Sequence, residues 1–132
     1  MNTTAKGRVT LRILGEPIDL GWNAARLWRC ERAYLCLLLA TALLDAASTT
    51  AFMSSLGVDR ELNPLVRGLS AFCGIVIGPL LGKIGQLIGA VALCLLAPRL
   101  GRFTLSVAIL LNLLALVVNL HVYQLGGPVV GP

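Results

Sequence analysis

Three apolar runs, residues 33–56, 71–97 and 103–123, take up most of the 132-residue chain. That is more apolar surface than a soluble single domain of this size can bury, since 57 % of residues are hydrophobic and only 13 % charged. Mean hydropathy is +0.85. At about 1.5 Å per helical residue, each run is long enough to cross a hydrocarbon core of roughly 30 Å. The expected fold is all-α: an integral membrane bundle of three transmembrane helices. Residues 1–32 remain as a basic tail with an interfacial helix, and 126–132 as an outer tail, which leaves no room for a second soluble domain.

The net charge of +5 is unevenly spread. Lys6, Arg8, Arg12, Arg26, Arg29 and Arg32 precede the first run, and Arg99 and Arg102 lie between the second and third, whereas only Arg60 and Arg67 lie between the first and second. This asymmetry predicts a cytoplasmic N-terminus and an outer C-terminus. It also assigns the basic residues to topology and anionic inner-leaflet lipid, and argues against nucleic acid as a partner.

Two readings stay open for the start of the chain. Alternation in residues 8–13 fits a short extended segment, and a disordered tail fits equally well. From Pro17 onward Asp19 is suited to cap a helix, on which Trp22, Arg26, Trp28, Arg29 and Arg32 would contact lipid at headgroup depth. The run 33–44 also looks like a signal-peptide core, but the basic leader is long and Asp45 is awkward for cleavage, so an uncleaved span is expected.

Charges within a bilayer are costly and need a partner or a cavity. Thr41, Asp45, Ser48, Thr49 and Phe52 recur at three and four residues, on one face of the first span. Asp45 lies about 16 Å in from Leu56 by helical rise, near mid-membrane. The second run carries Lys83 and Gln86, but Gly78-Pro79 divides it. A helix starting near Ala71 would put Lys83 about 18 Å in, level with Asp45; one starting at Pro79 would leave it about 6 Å in, free to snorkel outward. Between the two spans Gly57 suits a helix end, Asn63 an N-cap and Pro64 a first turn. Glu61 either pairs with Arg60 or turns inward as a second carboxylate.

Gly74, Gly78, Gly82, Gly85 and Gly89 form a small-residue stripe suited to close helix approach, within the bundle or against another chain. Asn112 and Asn119, seven apart on the third span, share a face on which amides can bond between helices. The single histidine, His121, reads as interfacial. Cys30, Cys36, Cys73 and Cys94 lack C-x-x-C spacing and read as packing residues, so neither a metal nor a cofactor is expected.

The series Asp45, Thr49, Gly57, Glu61-Leu62-Asn63-Pro64, Gly78-Pro79 and Lys83 resembles the signature of a family of small three-span prokaryotic membrane proteins of unknown function. The resemblance covers roughly residues 34–123 and implies the prokaryotic inner membrane; it supplies no reaction. Two functions are weighed. In one, a structural or accessory subunit binds a membrane-protein partner or its own copies, and Asp45, Lys83, Asn112 and Asn119 satisfy one another internally. In the other, Asp45 and Glu61 bind a cation or proton and Lys83 an anionic group, in transport or intramembrane chemistry.

Overall fold

The structure, a computed structural model, describes residues 10–13 and 16–125. The described residues are all-α apart from one short hairpin, in which β1 (Thr10–Ile13) pairs antiparallel with β2 (Glu16–Asp19). The extended reading thus holds for 10–13, with a partner strand where a helix lead-in was expected. Residues 1–9 and the expected outer tail 126–132 lie outside the described residues.

α1 runs unbroken from Leu20 to Leu56. Asp19 caps it, its Oδ1 accepting the Trp22 N–H at 2.9 Å. No boundary separates the expected interfacial segment from the first span. α4 (Gly101–Leu125) lies beside α1 in parallel, and their side-chain bonds hold one register, joining Glu31 to Arg102, Thr41 to Asn112 and Ser48 to Asn119, 71 residues apart in each case. α4 therefore begins level with Cys30, and the first turns of α1 project past it. There Asn23 Nδ2 donates to the Leu95 carbonyl at 2.8 Å and an Arg26 Nη1 to that of Pro98 at 3.1 Å, tying the turn between α3 and α4 to α1.

The expected second span, 71–97, is split. α2 (Pro64–Cys73) ends at Gly74, whose φ of +94° suits a residue without Cβ, and α3 (Ile77–Leu96) begins after a short turn. α2 folds back along α3: a Cβ on Gly78 would come within 2.6 Å of the Ser70 Cα, and one on Gly82 within 3.3 Å of Val66. The pairs 70 with 78 and 66 with 82 show that the two helices run antiparallel. Close backbone approach is what the upper glycines allow. Three helices, those containing 20–56, 77–96 and 98–125, are long and apolar enough to cross a membrane.

The exposed surface marks a band on these helices. Exposed residues of α1 are apolar from Ala33 to Ala47, and those of α4 are almost wholly so from Phe103 to Leu120; arginines 32 and 102 lie below, and His121, Tyr123 and Gln124 above. In the α1–α4 register, His121 is level with Thr50, so the band is about 27 Å tall at helical rise. Thr50 Oγ1 also donates to the Ile75 carbonyl at 3.3 Å, which sets the start of α3 at the same edge. α2 therefore lies within the band, beside the first turns of α3. The expected outer loop is in large part re-entrant, which a bilayer tolerates where the backbone is helical or covered by protein. Leu65 and Phe72 give α2 an exposed apolar side.

The core lies toward the basic end. Leu27, Leu38, Ala90, Cys94, Leu105, Ala108 and Ile109 form one buried cluster drawn from α1, α3 and α4.

Candidate functional site

Toward the other end polar side chains join Ala46, Phe52 and Met53 among the buried residues. Asp45, with 4 % of its side chain exposed, forms an ion pair with Lys83, which is 20 % exposed. The Lys83 Nζ also donates to Gln86 Oε1 at 3.1 Å and to Asn112 Oδ1 at 2.9 Å, so its three protons have three acceptors. Asn112 passes the chain on, donating to Thr41 Oγ1 at 3.5 Å, and Thr41 donates to the Leu37 carbonyl at 2.9 Å.

A second branch reaches Asp45 from above. Asn119 Nδ2 donates to Thr49 Oγ1 at 2.9 Å and to Ser48 Oγ at 3.1 Å, and lies 3.5 Å from Asp45 Oδ1. Thr49 in turn donates to Asp45 Oδ1 at 3.4 Å. The spacing-derived face of α1 and the two asparagines of α4 thus meet the lysine of α3 in one network. Of the two starts offered for the second span the later one holds, but Lys83 meets Asp45 instead of snorkelling outward. α3 starts near Pro79, yet the Thr50–Ile75 bond holds that start inside the bundle, and the lysine stem covers the remaining turn. Asp45 sits toward the loop end of α1. Within the apolar band it stands about 8 Å from the His121 edge and about 20 Å from Arg32.

Glu61 and Asn63 stand outside this network. Asn63 caps α2, its Oδ1 accepting the N–H groups of Leu65 at 3.0 Å and Val66 at 3.4 Å, and its own N–H donates to Glu61 Oε1 at 2.8 Å. Glu61 turns inward and is only 9 % exposed. Among the described residues it forms no ion pair with Arg60 or any other side chain.

The two larger cavities among the described residues flank the network. One of about 670 Å³ lies between the upper ends of α1 and α4 and the loop, where Arg60, Glu61 and Asn119 join apolar walls. The other, about 450 Å³, lies among α2, α3 and α4 and reaches Asn63, Lys83, Gln86 and Asn112. The carboxylate of Asp45 lines neither.

The glycine stripe divides in use. Gly78 and Gly82 receive α2, Gly74 makes the turn, and Gly85 and Gly89 face open space. Of the candidate lipid contacts, Trp22, Trp28, Arg29 and Arg32 are exposed, while Arg26 is half-buried against the α3–α4 turn. Cys30, Cys36 and Cys73 are exposed and Cys94 is buried in the core. The sequence reading missed Glu31, which is buried at the basic end and accepts from Arg102 Nε at 2.9 and 3.0 Å. Its signal was present: an acid among arginines, opposite a turn rich in arginine.

Compared with known proteins, the chain matches no family model, no curated protein and no solved structure.

Proposed function

We propose that this protein is a structural or accessory subunit of a larger membrane complex in the prokaryotic inner membrane, with its N-terminus cytoplasmic. The observation that carries this reading is the closure of the polar network. Asp45, Lys83, Asn112 and Asn119 bond to one another, to Gln86 and to neighbouring hydroxyls, which is the expected use of polar side chains that specify one packing of helices. A site built to bind substrate would hold groups in reserve. Gly85 and Gly89, open on α3, offer the close approach that a partner helix needs. The exposed tryptophans and arginines at the start of α1 support an interfacial role for that segment and its place on the cytoplasmic side.

The test is the mass and composition of the particle taken from its native membrane in a mild detergent. One partner at constant stoichiometry is the expected result. A free monomer, or a homo-oligomer and nothing else, would overturn the accessory reading.

A further inference from the structure

We infer that the 670 Å³ cavity at the loop end binds the head of a zwitterionic phospholipid bearing a primary ammonium group. Its charged residues, Arg60 and Glu61, lie outside the polar network, of which Asn119 alone reaches the cavity wall, and it does not depend on the accessory reading.

Its starting point is Glu61. The residue is nine-tenths buried, its carboxylate receives one hydrogen bond from the Asn63 N–H, and no cationic side chain is paired with it among the described residues. A buried carboxylate without a counter-charge is unfavourable, and the group lines a cavity whose other surfaces are chiefly apolar. A donor-rich cation entering that cavity would relieve it. Arg60 lines the same cavity but remains exposed and unpaired with Glu61, so two opposite charges from adjacent residues face one space without neutralising each other. A head with an ammonium and a phosphate a few atoms apart complements both: the ammonium against Glu61, the phosphate against Arg60.

The depth agrees. The cavity wall on α4 runs from Val118 to Leu125, across the edge where exposed residues change from apolar to His121 and Tyr123. That is the height of lipid heads. Phe52, Leu56 and Val122 supply the apolar surface for the glycerol end of the chains. The volume is within the usual range of roughly 300–1,000 Å³ for sites that enclose small molecules.

The experiment uses the full chain in bilayer discs of equal parts phosphatidylethanolamine and phosphatidylglycerol with identical acyl chains, with the lipid that stays bound counted by native mass spectrometry. One phosphatidylethanolamine per protein should be retained, at about tenfold preference, and Glu61→Gln should remove most of that preference because the charge-assisted bonds are lost while the Asn63 N–H keeps an acceptor. Arg60→Gln should weaken retention less. Val122→Phe, which fills the cavity without touching the carboxylate, should abolish retention and gives an independent reading if the glutamine variant fails to fold. The proposal is overturned if phosphatidylglycerol is held equally well, or if either Glu61→Gln or Val122→Phe retains the lipid as the parent does. Displacement by a long-chain alkylamine, equally effective in the parent and in Arg60→Gln, would also overturn it and assign the cavity to a free amine.

Discussion

The two ends of the bundle are built on different terms. At the basic end, Leu38, Leu105 and Cys94 are at most 2 % exposed within one apolar cluster, and the cavity there is negligible. At the loop end, polar side chains hold the helices, α2 folds back into the apolar band, and the large cavities lie around the network. The contrast separates two jobs. Apolar packing at the basic end makes three helices cohere, while hydrogen bonding at the loop end sets their register and leaves space between them. Any ligand chemistry belongs to the second region.

The sharpest way to break this contrast is to remove the charge at its centre. Asp45→Asn strands Lys83 beside Gln86 and Asn112 with no counter-ion, and a broken buried pair costs about 3–5 kcal/mol. Reversible unfolding in mixed micelles, followed by helicity, should show a loss of that size. The double variant Asp45→Asn with Lys83→Met should recover most of it, since both charges then leave together. An unchanged midpoint in the single variant would mean that the pair does not hold the loop end.

The corresponding test at the basic end is Leu105→Ala. In a bilayer the lipid is as apolar as leucine, so the transfer part of the usual penalty falls away and the void left behind dominates. A loss of about 2 kcal/mol is expected, below that for Asp45. Lipid retention by the loop-end cavity should be unaffected. If Leu105→Ala empties that cavity as well, the two ends are one cooperative unit and the division fails.

These outcomes bear on what could be read from the chain without a structure. Helical periodicity located Thr41, Asp45, Ser48 and Thr49 on one face, and the seven-residue spacing of Asn112 and Asn119 located theirs, because a side chain's angular position on a helix follows from its number alone. Whether Asp45 and Lys83 would meet did not follow in that way. It depends on the start of α3, which a bond between Thr50 and the Ile75 carbonyl sets and which no local pattern encodes. The re-entrant course of α2 rests likewise on Ser70 meeting Gly78 across a turn. The stripe showed that something could approach closely; it could not say that the chain's own α2 takes the upper half. Glu61 was left between two roles for the same reason, as its direction is decided by the Asn63 N–H and by the cavity wall rather than by Arg60 beside it.

Asn119→Ala tests how far the upper branch contributes. It removes the donor shared by Ser48 and Thr49, and interhelical hydrogen bonds within membranes average about 0.6 kcal/mol, with a maximum near 1.7. A loss of about 1 kcal/mol in the same unfolding measurement is expected, smaller than for either variant above. Thr49 would keep its bond to Asp45, so the ion pair should survive. A loss as large as that of Asp45→Asn would instead make Asn119 the residue on which the pair depends.

The smallest effect on the chain itself should come from Gly89→Leu. A Cβ at that position meets nothing within 4 Å, the residue is exposed, and glycine is a poor helix former relative to leucine by about 1 kcal/mol in water. Unfolding should therefore be unchanged or slightly harder. The accessory reading makes a different demand on the same position. A partner helix seated against Gly85 and Gly89 would meet the new side chain at its closest approach, so the particle from native membranes should lose its partner while the isolated protein stays folded. Gly78→Leu is the matched contrast within the chain, since its side chain must displace α2 and should unfold the loop end outright. If Gly89→Leu keeps the partner at full stoichiometry, the open half of the stripe is lipid-facing, and the surface that holds the complex lies elsewhere.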